Sequence, residues 1–240
     1  MSQKIHAWLR FFRVVNLPTV PGDVLAGAAI ASCSSPALAD WRVLAAASIA
    51  SVLLYMFGLA DNDIVGAATD TDRPIPEGMI SMRAARIARA LCILGAIGLG
   101  FAARLPQPWW PAACALAVAI VIYNRTKWPL IMGLCRGFNL LCGFGAAYPA
   151  LPPNRKGAIV ATVVWTLYIF GVTKYSEGEE LDPARKRRVG KLIGALVWLQ
   201  LAAVLVPAMI FHDFSFAIVQ LAMISLLFLF KRLMPKVSAS

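Results

Sequence analysis

Two short windows hold most of the twelve acidic residues of this 240-residue chain. Asp61, Asp63, Asp70, Asp72 and Glu77 follow one apolar tract, and Glu177, Glu179, Glu180 and Asp182 follow another. Asp61 and Asp63 stand at the very end of an apolar run, where a lone carboxylate is costly unless it is paired, metal-bound or open to a water-filled cavity. If the helix continues past Asp63, then Asp63 and Asp70 lie two turns apart on one face, because seven residues are close to two turns. Carboxylates spaced in this way suit a hard cation, Mg²⁺ or Ca²⁺, and Mg²⁺ characteristically combines one or two carboxylates with substrate phosphates. A phosphate-bearing ligand also accounts for the cations nearby: Arg73 just after the first window, Lys127, and Arg136 inside an apolar tract. Arg grips phosphate with two parallel hydrogen bonds, and Lys acts as a point charge. The plainer reading is that both windows are wet loops. Residues 177–182 beside the basic run 185–188 read equally well as a solvated, salt-bridged stretch. Arg136 likewise has a second reading, as a structural cation paired with Asp23 across a bundle.

The elements that must position these groups are set by composition. With 60% hydrophobic and 15% charged residues and a mean hydropathy of +0.71, the chain cannot fold as a soluble domain of this size. The apolar tracts approach the roughly 17 to 25 residues that cross a bilayer. They fall near 14–33, 43–60, 87–103, 109–123, 130–150, 158–174, 190–211 and 214–230. None shows the alternation of a membrane β-strand. The expectation is one all-α domain over 1–240, a polytopic transmembrane bundle of about eight to nine helices. Lys and Arg test the spans. With the N-terminus inside, one side holds Lys4, Arg10, Arg13, Arg73, Arg83, Arg86, Arg89, Arg125, Lys127, Lys174, the run 185–188, Lys191, Lys231, Arg232 and Lys236. The other holds Arg42, Arg104, Arg155 and Lys156. The net charge of +11 thus reads as positive-inside bias and attraction to anionic lipid, and nucleic acid is an unnecessary partner. Both acidic windows fall on the basic, cytoplasmic face.

Other features carry less chemistry. Residues 1–39 mimic a secretory signal ending at Ala37-Leu38-Ala39, but Pro18, Pro21 and Asp23 interrupt its apolar part, so cleavage is not expected. The five cysteines form no Cys-x-x-Cys pair and read as small packing residues. His6 and His212 are too far apart in sequence to suggest a metal site. Gly95, Gly98, Gly100, Gly143 and Gly145 are expected to permit close helix contacts.

Taken together the residues resemble the UbiA-type membrane prenyltransferases. The family's first motif, Asn-Asp-x-x-Asp-x-x-x-Asp followed closely by Arg-Pro, is matched by Asn62, Asp63 and Asp70, and Arg73-Pro74-Ile75-Pro76 with Gly78 looks like the segment that follows. Residues 16–27 (NLPTVPGDVLAG) are similar to the family's first helix, Tyr123 and Lys127 match its Tyr-x-x-x-Lys element, and 132–139 (MGLCRGFN) look like a less-studied subgroup. The resemblance extends over most of the chain. The middle Asp of the first motif is here Gly66, and Arg73 follows Asp70 more closely than in the family. The second motif, Asp-x-x-Asp-x-x-Gly-Asp, is eroded: Val172 and Tyr175 stand at the first two acids, and Gly178 and Glu179 remain, with Glu177 beside them. The family typically has nine helices.

The resemblance implies Mg²⁺-dependent transfer of an isoprenyl group from a prenyl diphosphate to a hydrophobic acceptor, aromatic or lipid, within the membrane. Asp63, Asp70 and Lys127 take the catalytic places. The metal would be held by Asp63 and Asp70, with Asp61 and Asp72 as substitutes, and by Glu177 and Glu180, which share a helix face if that segment is helical. Asn16, Asn62, Arg73, Tyr123, Arg136, Asn139 and Tyr175 would contact substrate; Asn16 and Asn139 serve equally well as interhelical hydrogen-bonding residues. Tyr123 or Tyr175 could steady an allylic cation. The contrasting reading is a non-catalytic lipid-binding or transport protein with a degenerate site, which the eroded second motif favours.

Overall fold

The computed structural model describes residues 3–33, 40–148, 155–178, 182–211 and 214–233. The signal-like Ala37 to Ala39, together with Glu179, Glu180 and His212, lie outside them. The described residues form nine α-helices: α1 (Gln3–Phe11), α2 (Thr19–Ser32), α3 (Trp41–Val65), α4 (Met82–Ala102), α5 (Trp109–Thr126), α6 (Pro129–Ala147), α7 (Arg155–Ser176), α8 (Pro183–Phe211) and α9 (Ser215–Leu233). The eight tracts drawn from hydropathy correspond to α2 through α9. Several helices overrun their tracts: α3 continues to Val65, and α8 starts at Pro183 and takes the basic run 185–188 into its first turns. Hydrogen bonding within a helix is indifferent to side-chain polarity, so helices continue where hydropathy stops. Local chemistry sets the ends. Asp40 caps α3 by accepting from the Arg42 amide at 2.8 Å, and Ser81 caps α4 through the Ala84 amide at 3.2 Å.

Among the described residues six segments are long and apolar enough to cross a bilayer, and α9 holds a shorter apolar stretch, Ala217–Phe230. The lipid-facing surface carries large exposed hydrophobics such as Leu91, Leu94, Phe101, Ile159, Val160, Met209 and Ile218, a belt that only an apolar solvent tolerates. At the centre, α2 is buried along most of its length. It runs parallel to α6 at backbone contact: a Cβ on Gly27 would lie 2.0 Å from the Leu140 carbonyl oxygen, and one on Gly143 would lie 1.9 Å from that of Val24. These reciprocal glycines let the two helices touch without intervening side chains. Gly98, by contrast, meets nothing within 4 Å, so its expected role in close contact is corrected.

Helix α1 is an element that hydropathy did not separate. Trp8, Phe11 and Phe12 pack with Ala60, Ile80 and Ala85, and Arg10 binds both carboxylate oxygens of Glu77 at 2.8 and 3.1 Å. The helix is thereby strapped across the loop between α3 and α4.

Candidate active site

A cavity of about 370 Å³ lies within the bundle among α2, α3, α5 and α6, lined at one end by Arg13, Asn62, Asp70, Arg73 and Lys127. The expected continuous helix from Asp63 to Asp70 is not what brings these carboxylates together. α3 ends at Val65, and a 3-10 turn over Gly66–Ala68 curls the chain back so that the Asp70 amide donates to the Gly66 carbonyl at 2.9 Å. A Cβ at residue 66 would lie 2.6 Å from Asp70 Oδ2. Gly66 therefore leaves the space into which the Asp70 carboxylate folds. Arg73 joins the two acids: its Nη1 donates to Asp63 Oδ1 at 3.0 Å, and its Nε lies 3.6 Å from Asp70 Oδ2. Asp63 is 2% exposed, and Arg13 Nη2 stands 4.0 Å from its Oδ1.

Lys127 closes the same end. It caps α5 in the left-handed region (φ 53°), which turns its side chain back to donate to Asn62 Oδ1. Its ammonium lies 5.6 Å from the centre of the Tyr123 ring, as the four-residue spacing of the pair requires. Burial draws the Lys127 ammonium below the ordinary lysine range, against the upward pull of Asp70, Asp63 and Asp61.

Other sequence-derived residues stand elsewhere. Asp61 is 1% exposed and faces away, where Oδ1 accepts from Arg89 at 2.9 Å and Oδ2 from Asn124 at 3.0 Å and Arg125 at 3.5 Å. Its lone pairs tie α3 to α4 and α5. Asp72 is exposed, and its carbonyl accepts from Arg10. α7 ends at Ser176 and Gly178 adopts φ 80°, so Glu177 lies past the end of the helix, while Glu180, expected to share a helix face with it, lies outside the described residues. Glu177 is exposed and pairs with Lys174 at 2.7 Å, and Tyr175 lies under Arg185 at 5.6 Å; neither lines the cavity. The Asn16 carbonyl accepts from Thr19 Oγ1 at 2.8 Å, and its side chain does not line the cavity. Among the described residues no three His, Cys, Asp or Glu converge as a metal cluster.

Arg136 and Asn139 line the cavity about 10 and 15 Å from the start of α6, at 1.5 Å per residue. Arg136 pairs with Asp23 across the bundle, its Nε 2.9 Å from Oδ2 and its Nη2 3.2 Å from Oδ1. Asp23 is 0% exposed and also accepts from Asn139 Nδ2 (3.1 Å), Trp165 Nε1 (3.0 Å) and Gln200 Nε2 (2.7 Å). A fully buried carboxylate is tolerable with so many donors. Sequence reasoning missed Arg13, whose left-handed backbone at φ 41° no pattern reveals. It also missed Asn124 and Ser51, for which polar residues within apolar tracts were the available signal.

No family model matches the chain. A stretch of 145 residues, 56% of this chain, is 30% identical to the 4-hydroxybenzoate octaprenyltransferase of Neisseria meningitidis serogroup B (strain ATCC BAA-335 / MC58). It covers 48% of that protein, so the chain spans about half the length of the curated relative it matches. Among solved structures, one from work on digeranylgeranylglyceryl phosphate synthase superposes with a TM-score of 0.61 at 18% identity, over 99% of this chain and 93% of the other. A UbiA homologue from Archaeoglobus fulgidus, bound to DMAPP and Mg²⁺, superposes with a TM-score of 0.58 at 13% identity, over 96% and 87%. The same homologue has been solved with GPP and Mg²⁺. The chain has the UbiA fold, and it is an integral, multi-pass membrane protein.

Proposed function

We propose that this chain is a Mg²⁺-dependent prenyltransferase that moves an isoprenyl group from a prenyl diphosphate to a hydrophobic acceptor within the membrane. The observation that supports this most directly is a cavity whose charged end, lined by Asp70, Arg73, Arg13 and Lys127 with Asp63 buried against Arg73 and Arg13, opens onto an apolar wall of Leu59, Leu116 and Ile120. A prenyl diphosphate has the same division, and each buried CH₂ of its tail adds about 0.8 kcal/mol. The named relatives, an octaprenyltransferase and a UbiA homologue holding DMAPP or GPP with Mg²⁺, agree with this assignment.

Asp63 and Asp70 fit Mg²⁺ by their chemistry, being two carboxylates already drawn onto one cation, the Arg73 guanidinium. When bound, the metal would neutralise charge growing on the departing diphosphate. Arg13, Arg73 and Lys127 would bind the diphosphate oxygens and supply preorganised charge in a low-dielectric setting, usually the largest contribution to catalysis. The bond between prenyl C1 and the diphosphate oxygen breaks, and the diphosphate leaves with the electron pair. A bond forms from C1 to a nucleophilic atom of the acceptor, and the proton displaced from the acceptor goes to the diphosphate or to water. Tyr123, beneath the Lys127 ammonium, presents its ring to the cationic carbon. The excess of Lys and Arg at this end favours the cytoplasmic side for the site, by the tendency of cations to collect there.

Turnover of radiolabelled geranyl, farnesyl and longer prenyl diphosphates, with an acceptor extract and with or without Mg²⁺, tests the proposal. Metal-dependent diphosphate release with a lipid-soluble product, lost in Asp63→Ala and Asp70→Ala, would support it. Tight binding without turnover, surviving both substitutions, would favour a lipid-binding or transport protein.

A further inference from the structure

The cavity separates its charges. At the mouth, three cations, Arg13, Arg73 and Lys127, stand against Asp63 and Asp70. Deeper, the cation Arg136 is already matched by buried Asp23, whose Oδ1 accepts from its Nη2 and whose Oδ2 lies 2.9 Å from its Nε. That end is neutral overall and, besides the ion-paired Arg136 Nε, retains two buried polar atoms without a hydrogen-bond partner, Ser51 Oγ and Asn139 Oδ1. Ser51 and Asn139 are 1% and 4% exposed, and both line the cavity. The orientation of the Asn139 amide is fixed, because Nδ2 donates to the Val20 carbonyl at 3.0 Å and to Asp23 Oδ2 at 3.1 Å. Oδ1 is therefore the free end, and it can only accept a hydrogen bond.

From this we infer that the deep end selects an acceptor whose non-reacting end carries an uncharged hydroxyl and rejects one carrying a carboxylate or phosphate. A hydroxyl donates to Asn139 Oδ1 and exchanges a hydrogen bond with Ser51 Oγ. An anionic group has no proton for Oδ1, meets no unmatched cation, and must shed its water beside the Asp23 carboxylate. Leaving a buried polar group unpaired is what gives such sites their discrimination. This inference takes the transfer reading as its premise and specifies the acceptor class for that same cavity.

Three ring compounds differing only at one polar group serve as probes: benzyl alcohol, toluene and benzoate. Their binding to the full chain in nanodiscs is measured by saturation-transfer NMR at neutral pH, with empty nanodiscs subtracted. Benzyl alcohol is expected to bind at least about tenfold more tightly than benzoate and severalfold more tightly than toluene, the scale of one buried hydrogen bond. Ser51→Ala removes an unpartnered hydroxyl, so thermal stability should hold while the alcohol's advantage over toluene shrinks. Asp23→Asn, which uncovers the Arg136 charge, should move the preference toward benzoate; where that variant fails to fold, Ser51→Ala decides alone. Equal or tighter binding of benzoate, equal binding of alcohol and toluene, or a Ser51→Ala protein with unchanged ratios would each overturn the inference. Binding of geranyl diphosphate with Mg²⁺, measured in parallel, reports on the transfer reading separately. Its absence would remove that reading while an alcohol preference upheld the selectivity of the pocket.

Discussion

Asp61 and Asp63 are two residues apart and almost equally buried, yet their partners give them opposite tasks, which an isosteric substitution at each position separates. Both oxygens of Asp61 accept, Oδ1 from Arg89 and Oδ2 from Asn124 and Arg125. An Asn at this position has one acceptor and one donor, so its NH₂ group must face a donor whichever way the amide turns. One buried hydrogen bond is lost and one donor is left opposed, at about 1–3 kcal/mol. Arg89 and Arg125 are 37% and 53% exposed, so their charges stay solvated and the full penalty of a broken buried ion pair does not apply. Taking about 2 kcal/mol, and 2–4 °C per kcal/mol for a chain of this size, Asp61→Asn should lower the apparent melting temperature by about 4–8 °C. The KM for prenyl diphosphate and the Mg²⁺ dependence should stay near wild type. Asp63→Asn should do the reverse, melting close to wild type while turnover falls by about 10²–10³-fold, the scale of losing one transition-state charge contact. Differential scanning fluorimetry in detergent, beside the radiolabel assay, reads both. A stable Asp61→Asn protein with altered Mg²⁺ dependence would refute this division and return Asp61 to the metal.

Prenyl diphosphate binding should weaken on the alkaline side at a pH below that of an ordinary lysine, because burial lowers the Lys127 pKa and its charge is lost as pH rises. Lys127→Arg should extend the binding plateau upward in a pH series. Arg73→Lys keeps the charge but cannot span Asp63 and Asp70, and titration should show prenyl diphosphate affinity reduced by about tenfold or more. In Gly143→Leu the new Cβ falls on the Val24 carbonyl, so α2 and α6 must part; a loss of at least about 2 kcal/mol should appear in fluorimetry and in the yield of monodisperse protein. Glu177→Gln removes an exposed pair with Lys174 worth about 0–1 kcal/mol, and unchanged Mg²⁺ titration and melting are expected; a shifted Mg²⁺ midpoint would restore Glu177 as a ligand.

Hydropathy and charge placement alone determined the all-α membrane bundle, because backbone groups in a bilayer must be satisfied within each helix and cations gather on one side. Sequence spacing also determined Lys127 over Tyr123, since four residues make about one helical turn. The meeting of Asp63 with Asp70 was decided by tertiary structure, through the curl at Gly66 and the reach of Arg73, where the sequence suggested a continuous helix. The separate fates of Asp61 and Asp63, the pairing of Arg136 with Asp23 and the arrival of Arg13 beside Asp63 were decided there too. Local patterns report which face of one helix a residue occupies. Which residues from other helices stand opposite depends on how the helices cross, and that rests on contacts such as Gly27 against Leu140 and Gly143 against Val24, each pair more than a hundred positions apart, whose meeting no local spacing encodes.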